Sequence, residues 1–287
     1  MELVAYRSVQ SFLHENGEFL DAAEAENNSF LGAVGALARE GTAIRDTAYL
    51  ASVRGEGGLI VLNALSPGRG NLVFSDARSG QRKAAVSMIA ADLAARELRP
   101  PGVFGQQELV HEFVEAWATL TRCIRRPLLT QTLYVLRTLI SSRRVPGGLR
   151  LAVESDLDLV AEWSRAFLRE ALGKEDAAAA RRSAEARIAS REFFLWEHER
   201  PVSLAGCARA TRHGIAINHV YTPPSDRRKG YATACVAQLT CRLLADGYSF
   251  CVLYADVANA ESNSIYTRLG YEPVDRFQVF ELGYPVQ

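Results

Sequence analysis

Two short segments of this 287-residue chain hold residue types whose order could do chemistry. The first, Arg227-Arg228-Lys229-Gly230-Tyr231-Ala232, follows a strand-like run over 215–222 and opens a helix-like one. A helix N-terminus presents N–H groups without intrahelical acceptors and a partial positive charge, and a glycine lets the main chain approach an anion with no Cβ in the way. The pattern predicts a pyrophosphate cradle, and with it a nucleotide-type cofactor. Three basic residues beside a glycine are also what a solvated surface turn contains. The position between a strand ended by Pro223 and Pro224 and an amphipathic helix is what points to a ligand. The second segment spans 259–271. Asn259 and Asn263 stand four apart and share one helical face, and Tyr266 lies three beyond on a neighbouring stripe.

Together these segments resemble the GNAT superfamily of acyl-CoA-dependent N-acyltransferases. The first is similar to that family's (Gln/Arg)-x-x-Gly-x-(Gly/Ala) loop at Arg227, Gly230 and Ala232. The second is similar to its Asn-x-x-(Ala/Ser)-x-x-(Leu/Ile)-Tyr-x-x-x-Gly-(Phe/Tyr) helix at Asn259, Ser262, Ile265, Tyr266, Gly270 and Tyr271. The resemblance covers residues 149–287 and is faint over 1–145. It implies transfer of an acetyl or related acyl group from acetyl-CoA directly to a primary amine on a small molecule or peptide, with no metal. Arg227, Arg228, Lys229, Gly230, Tyr231, Ala232 and Thr233 would hold the pyrophosphate, and Asn259 and Asn263 would contact the cofactor. Val220, Tyr221 and Thr222 would offer main-chain groups to the pantetheine and the thioester carbonyl, whose developing negative charge needs donors. Pro223 and Pro224 fit a strand that leaves its neighbour, since proline cannot donate to a ladder. Tyr266 would protonate the departing CoA thiolate, a task within reach of a phenol with an ordinary pKa of roughly 10. Other readings stay open: Tyr266 as a tyrosine packed between helix and sheet, and Asn259 as a pure helix cap.

The general base is less legible. Some family members carry a glutamate on the strand before the loop, and Ile215-Ala216-Ile217-Asn218-His219-Val220 has none. His219 titrates near neutrality and could serve, directly or through water; a structural, hydrogen-bonded histidine is the plainer reading. Glu154, Asp156 and Glu162, or Asp256 after the next strand, could line the amine site, whereas Asp246 and Glu261 read as helix-end or surface charges. No cysteine lies by the loop with a histidine, which favours direct transfer over an acyl-enzyme. Two other function classes are carried along: a non-catalytic acyl-CoA-binding regulatory module, and an aminoacyl- or peptide-handling transferase of the tandem GNAT type.

The elements that must position these residues read as strand, two helices, three strands, helix, strand, helix, strand. That order predicts an α/β (α+β) domain with a mostly antiparallel sheet flanked by helices. Pro/Gly punctuation at 143–148 places a boundary between a domain over 1–145 and a catalytic domain over 146–287. The first half echoes the same order without a matching anion loop, offering Ser79-Gly80-Gln81-Arg82-Lys83-Ala84 instead. It is either a degenerate second copy, giving two GNAT-like domains in tandem, or an unrelated α/β domain. With 33 basic and 33 acidic side chains the chain lacks the basic excess of a nucleic-acid binder. The five cysteines stand singly in apolar surroundings, as buried residues of a reducing compartment would. No run of eighteen apolar residues suggests a membrane span, and the expected location is the cytoplasm. The amine and the oligomeric state are not written in the sequence.

Overall fold

The computed structural model describes residues 1–40, 48–67, 70–77, 80–140, 144–173 and 175–284. Arg143 of the expected linker and Ser79 of the first half's loop lie outside them. The chain divides into two compact units, Met1–Leu133 with Val274–Gln287, and Tyr134–Pro273. The boundary expected after residue 145 therefore falls inside the second unit, and the end of the chain is a part of the first.

Unit 1 contains β1 (Glu2–Ala5), α1 (Val9–Asp21), α2 (Asn28–Glu40), β2 (Tyr49–Arg54), β3 (Ile60–Ser66), β4 (Leu72–Phe74), α3 (Arg82–Ala95), β5 (Gly102–Gln106), α4 (Gln107–Thr121) and the start of β6 (Ile124–Leu136). Unit 2 repeats the order with β7 (Gly148–Leu151), α5 (Leu157–Leu172), α6 (Ala177–Ala189), β8 (Phe193–His198), β9 (Arg200–Ala208), β10 (Gly214–Tyr221), α7 (Tyr231–Ala245), β11 (Phe250–Asp256) and α8 (Ala260–Leu269). The last strand, β12 (Glu272–Gly283), pairs antiparallel with β5 through residues 277–281 and closes the sheet of unit 1. In both units the first four strands are antiparallel neighbours and the fourth pairs parallel with the fifth: β4 with β5, β10 with β11. This is the mixed, mostly antiparallel sheet that the element order predicts, present twice.

Strand alternation decides which helices cover which face. In unit 2, Phe193 and Leu195 of β8 pack with Val160, Trp163 and Ala184 of α5 and α6, while Phe194 and Trp196 face the other way, towards Cys235 and Leu239 of α7. Unit 1 divides its strands similarly: Leu50 and Leu65 pack on α1 and α2, Ala51, Val53 and Leu62 on α3 and α4. Each large apolar side chain so buried contributes about 1.5–3 kcal/mol relative to exposure. Two sandwiched faces explain why β2 reads as almost continuously buried rather than alternating.

Two local expectations change. The four-residue β1 was not expected; its pattern is exposed at both ends, and its pairing with β2 defines it. Cys241 is exposed, whereas the other four cysteines are buried, and all five are free. Among the described residues no helix is long and apolar enough to cross a membrane, and no group of three or more metal-ligating side chains converges.

Candidate active site

The strand that leads to the basic loop breaks its ladders on both sides. β10 pairs with β11 only over Gly214–Ala216. On its other edge the register with β9 shifts between Asn218 and Tyr221, leaving His219 and Val220 without partners there. His219 adopts a left-handed φ of 51°, the mark of a bulge at a non-glycine residue. The main chain at 219–220 thus lies in a bulge, next to the point where β10 and β11 part.

Beyond Thr222 the chain makes one 3₁₀ turn over Pro224–Asp226 and enters α7. Arg228 and Gly230 both have positive φ, 61° and 90°, two residues apart. Gly230 is the N-terminal cap of α7, and the first helical bond runs from Ala234 N to Gly230 O. The N–H groups of Tyr231, Ala232 and Thr233 therefore have no acceptor within the helix. They open on a cleft of about 200 Å³ lined by Thr222, Asp226, Arg227, Arg228, Gly230, Tyr231, Ala232, Thr233 and, from α8, Glu261, Ile265 and Arg268. Successive N–H groups at a helix start, with left-handed residues turning the chain around them, make an anion-binding concavity.

The charges around the cleft are not equivalent. Asp226, 2% exposed, accepts both oxygens' worth of hydrogen bonds from Arg200 Nη2 at 3.0 and 2.8 Å and one from Lys229 Nζ at 3.0 Å. Burial pushes its carboxyl pKa up, but the bonds from Arg200 and Lys229 outweigh that and hold it below the ordinary value. Lys229 is thereby spent on anchoring the turn. Arg227 forks onto Glu170 of α5 at 3.0 and 2.8 Å, donates from Nε to the Thr222 carbonyl at 2.9 Å, and lies over the Tyr221 ring. Among the described residues no carboxylate pairs with Arg228 or with Arg268, whose Nη1 donates to Ser264 Oγ at 3.0 Å. These two are the cations the cleft can offer an incoming polyanion. Arg268 was not singled out from sequence; only the approach of α8 to the loop reveals it.

Asn259 caps α8, its Oδ1 accepting from Ser262 N at 3.0 Å. Asn263 is fully engaged: Oδ1 accepts from Tyr134 Oη at 2.9 Å, and Nδ2 donates to the carbonyls of Asp256 and Asn259, each at 2.8 Å. Both side chains position the end of β11 and the start of α8. Glu261, read as a surface charge, is exposed and lines the cleft. Tyr266 packs with Tyr134 and Tyr271, is 7% exposed, and has its pKa pushed up to about 12 by burial, with a bond to the Ser262 side chain pulling the other way. At neutral pH the phenol carries its proton.

His219 sits between Phe167 and Phe193, with ring centroids 4.5 and 5.5 Å away, and its Nδ1 faces Arg187 Nη1 at 3.2 Å. Burial first, and the neighbouring guanidinium second, depress its pKa to about 3. It is neutral at physiological pH with its Nδ1 lone pair turned to a cation, a poor base. Asp156 accepts from Arg150 at 2.6 and 2.9 Å and from Val153 N at 2.9 Å, with its pKa lowered chiefly by the Arg150 bond, so it ties down the domain start. Glu154 and Glu162 are exposed. Asp256 accepts from Ala258 N at 2.9 Å, and Asp246 ends α7 facing Arg242 at 3.8 Å. Burial pushes the thiols of Cys207 and Cys235 up to about 11 and 12, far from thiolate reactivity at neutral pH.

Residues 197–278, which carry the bulged strand, the loop and both helices of the cleft, match the model of the FR47-like protein family. None of the curated proteins compared matches the sequence. Among solved structures, the chain is similar to an acetyltransferase of the GNAT family from Colwellia psychrerythraea, with 11% identity, a TM-score of 0.58, and coverage of 99% of this chain and 100% of that one. It is similar to a Drosophila protein at 10% identity and a TM-score of 0.66, covering 98% of each. A tandem GNAT protein from the clavulanic acid biosynthesis pathway is similar at 16% identity and a TM-score of 0.50, covering 100% of this chain and 99% of that one. Motifs, family-model match and full-length structural likeness agree: this chain has the fold of the GNAT superfamily, in a tandem arrangement of two units.

Proposed function

We propose that unit 2 is an N-acyltransferase that passes an acetyl or related acyl group from acetyl-CoA to a primary amine. The observation that carries this reading is the cleft at the start of α7, where left-handed Arg228 and Gly230 aim unpaired N–H groups at a space flanked by two cations free of carboxylates. A pyrophosphate fits that donor set, and a Cβ on Gly230 would stand 3.0 Å from Val145 Cγ1 on a backbone that side chains rarely adopt. When bound, the thioester supplies an activated acyl carbon.

The main chain at His219 and Val220, out of register with β9, would donate to the carbonyl oxygen as negative charge builds there. The amine nitrogen forms the new C–N bond, the C–S bond breaks, and Tyr266 donates its proton to the departing sulfur. The ammonium proton leaves to water, because His219 is too weak a base to hold it, and Tyr266 regains its proton from solvent before the next turnover. With Cys207 and Cys235 protonated, direct attack needs no acyl-enzyme. Asn259 and Asn263 contribute by fixing α8 beside the cleft rather than through free side-chain atoms.

Thermal stabilisation of the full chain by acetyl-CoA and CoA tests this reading, since a ligand that binds only the folded state raises the midpoint with concentration. A rise with both, followed by turnover in an amine screen, is the expected result. No rise with either would mean that the Gly230 loop is only a turn. Binding without turnover on any amine would leave an acyl-CoA-binding module.

A further inference from the structure

The β10 bulge is held from the opposite layer by one side chain. Arg187, near the end of α6, reaches over β9 to β10 with its side chain only 14% exposed. Its Nη2 donates to Asn218 Oδ1 at 2.7 Å and to the Cys207 carbonyl at 3.1 Å, while Nη1 meets His219 Nδ1 at 3.2 Å and Nε donates to Glu192 Oε2 at 3.1 Å. The guanidinium carbon lies 4.0 Å from the centroid of the Phe193 ring. Room for this comes from Gly206, the β9 partner of Asn218: a Cβ there would stand 2.5 Å from Arg187 Nη2 and 3.0 Å from Asn218 Oδ1. One cation thus grips both residues at the start of the register shift and the strand beside them.

Such a grip has a consequence for the main chain that follows. A left-handed residue inside a strand is disfavoured unless its surroundings over-determine it. Without the guanidinium, β10 could relax towards regular pairing with β9, and the groups at 219–220 would return to the ladder. We propose that Arg187 is a positioning residue for acyl transfer: by clamping Asn218 and His219 it keeps the β10 bulge formed and holds the Val220 N–H aimed at the thioester carbonyl. The inference rests on the acyl-CoA reading of unit 2. It assigns Arg187 no contact with the amine and no part in holding the pyrophosphate, which is bound at the other end of the strand and loop.

The test uses the full chain and acetyl-CoA labelled with ¹³C at the thioester carbonyl, read by isotope-edited infrared spectroscopy, with CoA affinity measured in parallel by calorimetry. In the unmodified protein the bound carbonyl should absorb at lower frequency than in free acetyl-CoA, because a donor polarises it. Arg187→Met should return the band towards its free position and leave CoA affinity within about twofold, and Arg187→Lys should fall between. Should Arg187→Met fail to fold, Asn218→Ala removes the 2.7 Å partner while keeping the arginine, and should shift the band part of the way. A folded, CoA-binding Arg187→Met or Asn218→Ala with the unmodified protein's carbonyl band would overturn the assignment, as would an unmodified protein whose bound carbonyl absorbs like the free one. No CoA binding by the unmodified chain would instead sink the cofactor reading, and the inference with it.

Discussion

The two units share one order of elements and differ at the same place, the turn from the fourth strand into the helix that follows. Both turns contain a left-handed glycine, Gly80 at 91° and Gly230 at 90°. In unit 2 the helix start keeps two cations, Arg228 and Arg268, that pair with no carboxylate among the described residues, while Lys229 and Arg227 are held by Asp226 and Glu170. In unit 1, Arg82 at the start of α3 is held by Glu112 at 2.9 and 3.1 Å and by Glu108 at 3.1 Å. Asp275, whose pKa burial pushes up and the neighbouring Asp76 and Glu108 carboxylates raise further, adds to an acidic surround. The strand edges differ as well. β4 and β5 pair over Leu72–Val103 and Val73–Phe104, and beyond them Gln106 Nε2 donates to Asp76 Oδ1 at 2.7 Å, bridging the gap that unit 2 leaves open. On the proposed reading a glycine of the right conformation would not be enough: a pyrophosphate would also need unspent positive charge at the helix start, and a thioester carbonyl a strand edge out of register with its neighbour.

Substituting the two glycines breaks this comparison most sharply. Gly230→Val should abolish measurable CoA binding, because the side chain strains the loop and fills the approach. Gly80→Val should leave CoA affinity unchanged and cost about 1 kcal/mol of stability. Calorimetry on both variants, with one CoA per unmodified chain, checks this; a stoichiometry of two would show that unit 1 binds as well.

Next in size is Tyr266→Phe, for which turnover should fall by about 10² or more with CoA affinity within twofold. Because burial raises this phenol to about 12, any acyl-transfer rate of the unmodified protein should show no loss of the acid form until well above pH 10. An unchanged rate in the variant would remove Tyr266 from the chemistry.

His219 should show itself in stability rather than in rate. Its folded pKa, about 3, lies below the unfolded value near 6.5, so the unfolded chain binds the extra proton between those limits. The stabilising effect of a neutral site is intact above about pH 6.5 and is lost as pH falls towards 3, with a slope of up to about 1.4 kcal/mol per pH unit. His219→Gln should flatten that limb in denaturant titrations from pH 7 to 4 and leave the neutral-pH rate profile in place. A vanished neutral limb in the rate would instead restore the histidine as base.

The smallest effect sharpens the charge argument. Arg228→Met and Arg268→Met should each weaken CoA about fivefold, as expected of exposed, screened cations. Arg82→Met in unit 1 should not change it. Equal effects from all three would mean that the field of the whole chain, rather than the cleft, draws the cofactor.

Much of this was legible in local patterns. The order of elements in unit 2 followed from apolar periodicity and from proline and glycine stops, and the first half showed the same order apart from β1, which is too short and too exposed to carry a period. The loop and the helix that line the candidate cleft were readable because their residues are neighbours in sequence. The spent or unspent state of each charge was not. Arg227 and Glu170, Lys229 and Asp226, Arg187 and Asn218 give a linear reading no sign of which cation is already occupied.

What the sequence determined by itself is therefore what depends on a few adjacent residues: a helix start at Gly230 preceded by a strand that must end at Pro223, and a phenol on the helix that Asn259 caps. Only the tertiary structure decided the membership of the units, because β12 finds its partner in β5, far away in the chain. It also decided the use of the bulge, because a ladder breaks or holds according to what packs across it, and the guanidinium that grips β10 arrives from a helix with no sequence neighbour in common. Backbone propensities act over a turn; partners for charges and strand edges are chosen by the closing of the whole fold.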